Sequence, residues 1–180
     1  MLNLKPSSRV DQRTLTFLEQ NPSISQTLIS ELGENISQVA TIIEPILDAP
    51  SRCEMSMHYI QAVATGRTGF LTTNLPNPQI THVTEVARSW LVGRSSNCAI
   101  AILEKTISRC HAVIKYHPGK GFSIMDLGSV NGTFVNRSKL VPLTHKLLKD
   151  GDLLEFNKFR IEFFISGMPS ALMCSQDTQF

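Results

Sequence analysis

HAVIKYHPGKGFSIMDLG, residues 111–128, decides the fold class. Two short runs in which apolar and polar residues alternate flank the turn-forming sequence HPGKG, the pattern of paired β-strands. Working outward, the same period of two begins near Ile80 with ITHVTEVARSWLVGR and continues through CAIAIL, GTFVN, DLLEF and RIEFFIS. RSSN, GSVNG and KDGD separate these runs. Many short strands at close, regular intervals, with no helical pattern between them, predict an all-β sandwich or barrel.

Upstream the period changes. Residues 11–49 read as helical: Asn21 stands as an N-cap, Pro22 opens a helix, and Gly33 stops it. Ile24, Leu28 and Leu32 share one face, and Ile36, Val39, Ile43 and Ile46 form a second stripe. Pro45 is expected to bend or end that second helix, with Pro50 closing the region. Such a hairpin has an apolar face to bury, against the rest of the chain or against a second copy. The segment SRCEMSMHYIQAVATGRTGFLTTNLPNPQ fits either strands or an irregular connection. The expected organisation is therefore a helical N-terminal segment over 1–55, a linker or extra strands over 56–79, a β-sandwich over 80–166 and a flexible tail over 167–180.

Composition narrows the function. The 180 residues carry 17 basic and 15 acidic side chains, with no block of like charge, so nothing favours nucleic acid or an anionic membrane surface. No apolar run is long enough to span a membrane, and the N-terminus lacks a secretory core. Cys53, Cys98, Cys110 and Cys174 are widely spaced without a CxxC pair, and we read them as reduced thiols in a cytoplasmic protein. There is no Walker or kinase glycine loop, no metal motif and no sign of a cofactor.

Three stretches carry what chemistry there is. WLVGRSSN, Trp90–Asn97, places Arg94 on a turn after Gly93; ISRCHA brings Ser108, Arg109, Cys110 and His111; DLGSVNGTFVN, Asp126–Asn136, holds the Asn131–Gly132 turn. Neighbours on a strand point to opposite faces, so Cys110 and His111 are not placed to act as nucleophile and base. Their spacing to Cys98 and His117 fits no ligand pattern for a metal. The expected reading is a buried cysteine beside a bracing histidine, and the protein is expected not to be an enzyme.

Gly93–Arg94, then Ser108–Arg109–Cys110–His111, then Asn131–Gly132–Thr133, in this order and at these separations, resemble the forkhead-associated (FHA) domain, a β-sandwich family that binds phosphothreonine. The resemblance covers roughly residues 80–166. It implies a mainly β protein, an FHA-like antiparallel β-sandwich preceded by a short helical segment, acting as a phosphothreonine-binding adaptor whose partner is a phosphothreonine-containing protein. It implies that Arg94 and the Ser108 hydroxyl hold the phosphate, assisted by Arg109 and the backbone at Val130, while Asn131 bonds the peptide main chain. Gly93, His111, Gly132 and Thr133 are implied to brace the loops, and Thr106 is the candidate for sequence preference. Convergent donors of this kind suit a group carrying about −1.5 to −2 charges and three acceptor oxygens. Two departures stand out: Val130 lies where some members have a hydroxyl, and Ala99 where an aspartate is common. The alternative reading is a structural or oligomerisation protein with a degenerate phosphate pocket, acting, as a homodimer for instance, through its N-terminal helices.

Overall fold

A computed structural model describes residues 12–33, 36–77 and 79–167, the side chain of Ile36 excepted. The flexible tail expected over 167–180 lies almost wholly outside the described residues.

The described residues begin with three helices: α1 Gln12–Gln20, α2 Pro22–Leu32 and α3 Ile36–Arg52. Asn21 precedes α2, but its side chain does not cap that helix. Its backbone N–H and its Nδ2 both donate to the Phe17 carbonyl, at 3.1 and 2.9 Å, so it closes α1 instead. Nor do Pro45 and Pro50 end α3, which runs through both to Arg52. A proline inside a helix removes a hydrogen bond. Here Ile42, Ile43 and Ile46, buried on both sides of Pro45, hold the helix by packing.

Among the described residues twelve strands follow: β1 Tyr59–Ala64, β2 Gly69–Thr73, β3 His82–Val83, β4 Ser89–Gly93, β5 Ile100–Ala101, β6 Ala112–His117, β7 Gly121–Asp126, β8 Thr133–Val135, β9 Ser138–Lys139, β10 Lys146–Leu147, β11 Asp152–Phe156 and β12 Phe159–Gly167. They form a seven-stranded sheet, β3-β2-β1-β12-β11-β8-β9, and a five-stranded sheet, β10-β7-β6-β4-β5. Most pairs are antiparallel; β1–β12 and β4–β5 are parallel. Of the two readings open for residues 56–79, strands are what form.

One core fills the sandwich. Trp90, Val92, Ile114, Phe122 and Ile124 of one sheet meet Ile60, Leu71, Leu154, Ile161 and Phe163 of the other. A second core lies on the outer face of the larger sheet, where Val63 and Phe70 carry Phe17, Ile24, Leu28, Val39, Ile42, Ile43 and Ile46 from the helices. The apolar face of the helices is thus buried against the chain's own sheet. Among the described residues no helix is long and apolar enough to cross a membrane.

Candidate functional site

The site begins where β4 ends. A Cβ on Gly93 would lie 2.3 Å from the Arg109 carbonyl oxygen, so only glycine lets the two backbones approach this closely. The contact is fixed by hydrogen bonds: Arg94 N–H to the Ser108 carbonyl (3.0 Å), Ser95 N–H to the Arg109 carbonyl (3.2 Å) and His111 N–H to the Val92 carbonyl (2.9 Å). Residues 108–111 are thereby laid along the end of β4, with Arg94 beside Ser108.

Arg94 donates from Nε to the Ile107 carbonyl at 3.1 Å. Neither it nor the exposed Arg109 forms an ion pair among the described residues. Two cations therefore stand at this end of the sandwich without an anionic partner. The Ser108 hydroxyl accepts from the Val130 N–H at 3.2 Å, and Asn131 Nδ2 donates to the Thr106 carbonyl at 2.7 Å. These two bonds tie the loop after β7 to the loop before β6, bringing Arg94, Thr106, Ser108, Arg109, Val130 and Asn131 to one edge. Val130 is 88% exposed, and its N–H is already engaged.

Behind the loops sits His111, fully buried. The Ser108 N–H donates to its Nδ1 at 3.2 Å, so the proton must be on Nε2, which reaches the Gly132 carbonyl at 3.2 Å. One neutral imidazole thus fastens two loops. Burial pushes its pKa below the ordinary histidine value; the Gly132 carbonyl and Asp126, 3.9 Å away, oppose this.

The loop after β7 is organised by Asp126, whose role the sequence reading missed. Its Oδ1 accepts the N–H groups of Gly128 and Ser129, both at 2.9 Å; its Oδ2 accepts the hydroxyls of Ser129 and Thr133, both at 2.6 Å. The Ser129 hydroxyl in turn accepts the Gly132 N–H at 2.9 Å. Burial pushes the Asp126 carboxyl up, but these bonds outweigh it and hold the pKa below the usual carboxylate range. An aspartate at a strand end followed by Leu-Gly-Ser is the turn-forming signal that could have revealed it. Gly132 adopts a φ of 80°, and the side chain of Lys139 lies where its Cβ would be.

One expectation fails. Cys110 is exposed rather than buried, because Arg109 and Cys110 lie in a bend before β6 and not within a strand. The buried thiol is Cys98, whose Sγ lies 3.3 Å from the Arg109 carbonyl oxygen. Among the described residues no group of His, Cys, Asp and Glu is arranged to hold a metal.

Residues 90–157, from β4 through β11, match the family model described as FHA domain. This part of the chain is an FHA domain. The chain is similar to an oxoglutarate dehydrogenase inhibitor from Corynebacterium efficiens, 38% identical over 71 residues, covering 39% of this chain and 47% of that one. It is equally similar to the glycogen accumulation regulator GarA of Mycolicibacterium smegmatis, 38% identical over 71 residues, covering 39% of this chain and 42% of the relative. The match thus spans less than half the length of either relative. Among solved structures, an FHA domain of a hypothetical protein from Arabidopsis thaliana is 33% identical, covering 53% of this chain and 82% of that one, with a TM-score of 0.44.

Proposed function

We propose that the FHA domain of this chain is a phosphothreonine-peptide receptor, and that the protein is an adaptor whose contacts are made when a kinase modifies its partner. The observation that carries the proposal is the pair Arg94 and Arg109, which form no ion pair among the described residues and whose backbones are fixed beside Ser108 by the close approach at Gly93. Donors held apart from any protein anion, on loops already bonded together, bind a dianionic group with little reorganisation. Arg94 and Ser108 take the phosphate, Arg109 adds charge, and Asn131, anchored through Nδ2 to Thr106, offers Oδ1 to the peptide's main chain. Thr106, exposed and bonded through its carbonyl to Asn131, is the candidate for sequence preference. The mechanism is equilibrium recognition, with no bond made or broken in the partner. The free thiols of Cys53, Cys98 and Cys110 support a cytoplasmic setting.

A second reading keeps the sandwich for packing and retires the pocket. The observation favouring it is Val130, which offers no hydroxyl and whose N–H is spent on Ser108. Against it, the apolar face of the helices, which such a protein would use for assembly, is already covered by Val63 and Phe70.

Fluorescence anisotropy with degenerate phosphothreonine, phosphoserine and unphosphorylated peptide pools separates the two. The adaptor reading expects binding of the phosphothreonine pool alone. Arg94→Ala should weaken it by about 3 kcal/mol, roughly a hundredfold, for a lost charge-assisted contact. No binding by wild type at high micromolar protein favours the retired pocket.

A further inference from the structure

The two sheets are open along one side, where β9 ends the larger sheet and β10 ends the smaller one. Each of these two-residue strands is paired on one side only. Between them runs a groove of ≈ 400 Å³, floored by the buried Val135 and Leu140 and walled by Lys139, Val141, Lys146 and Leu147. Its lining includes none of Arg94, Ser108, Arg109, Val130 or Asn131, and it borders the phosphate-site loops where the Lys139 side chain lies against Gly132.

Edge lysines ordinarily ward off stray strand pairing. Here they stand beside exposed apolar side chains: Val141 and Leu143 are each 69% exposed and Leu147 is 56% exposed. The charges are one-sided. Lys139, Lys146 and Lys149 form no ion pair among the described residues. The one carboxylate in the lining, Asp152, is buried and consumed by Asn136 Nδ2 and the Lys149 N–H, both at 2.8 Å.

We propose that this groove is a second docking surface, for an extended, unphosphorylated peptide segment that alternates acidic and apolar residues. Such a segment adds to an exposed edge through its main chain, and its alternate side chains point opposite ways. One set meets Val141 and Leu147, and the other meets the lysines. Because the groove needs no phosphate, it engages a partner through a contact that kinase activity does not control.

The test uses the full chain and short fluorescein-labelled peptides, one alternating Asp and Val, the other Lys and Val. Three variants accompany wild type: Lys146→Glu with Lys149→Glu, Leu147→Asp, and Val141→Asp, each checked for folding by the emission of Trp90. The proposal expects the acidic peptide to bind wild type at least tenfold more tightly than the basic one. It expects every folded variant to lose at least tenfold. It is overturned by no binding of the acidic peptide, by equal binding of both, or by folded variants that bind as wild type does.

Discussion

His111 is a side chain whose protonation state the fold dictates. The Ser108 N–H points at Nδ1, so a second ring proton there would face a donor and break the bond. Burial, the largest influence, depresses the pKa, with the Gly132 carbonyl and Asp126 acting the other way. A histidine depressed in the folded state takes up a proton on unfolding. Its contribution to stability is therefore complete above the unfolded pKa of about 6.5 and is lost as pH falls from there toward the folded value. Asp126, also depressed, contributes above the unfolded aspartate value of about 3.9 and is lost below it. His58, depressed by burial, adds to the first window. Denaturant titrations at pH 7.5 and 5.5 should show wild type less stable at the lower pH, and His111→Gln should lose less over the same interval. An equal loss in both proteins would assign the effect elsewhere.

At this scale the sequence singled out Gly93–Arg94, Ser108–Arg109 and Asn131–Gly132, three stretches that the fold brings to one edge. It was less informative where exposure decides. Cys110 reads as a strand residue because HAVIKYH follows it, yet the bend at Arg109 and Cys110 turns it to solvent. Asp126 has only the local DLGS signal in sequence, since the four bonds it accepts come from residues that the folded loop gathers.

Among the elements, the junction of β4 with residues 108–111 positions the site, and its tolerance is small. Gly93→Ala would set a methyl group 2.3 Å from the Arg109 carbonyl oxygen. Since a backbone oxygen cannot swing away, residues 108–111 must lift from β4, breaking the bonds from Arg94, Ser95 and His111. The variant should melt at lower temperature and, while still folded, bind the phosphothreonine pool more weakly than wild type. A Gly93→Ala protein with unchanged melting and affinity would contradict this geometry. The same scale explains why β1 and β2 were hard to read. Both are buried on two faces, Ile60 and Leu71 toward the sandwich, Val63 and Phe70 toward the helices. Strands covered on both sides show no alternation, which leaves them indistinguishable in sequence from an irregular apolar connection. β6 and β7, with alternating burial, were plain.

For the whole molecule, the helices and the sandwich share the larger sheet, so they should unfold together. Ile43→Ala removes a fully buried side chain from the outer core and should cost about 2–5 kcal/mol. Trp90, the single tryptophan, lies in the inner core. Its fluorescence and the far-UV circular dichroism should therefore shift by the same amount in Ile43→Ala. A helical signal lost ahead of Trp90 fluorescence would mean two independent units. The sheet order was not legible, because its closing pair joins distant segments: Tyr59 stands opposite Glu162. No local pattern encodes a parallel pairing across so much chain. The sandwich itself was legible, since the regular spacing of strands and turns is local.

We propose that the loops around Arg94, Ser108 and Asn131 receive a phosphothreonine. Amide chemical-shift mapping of the isotope-labelled chain, titrated with a phosphothreonine peptide selected from the degenerate pool, tests it most directly. The largest shifts should fall on Arg94, Ser108, Arg109, Val130 and Asn131, and the unphosphorylated peptide should leave them in place. Shifts concentrated on the helices or on β9 and β10, or none at saturating phosphopeptide, would contradict it.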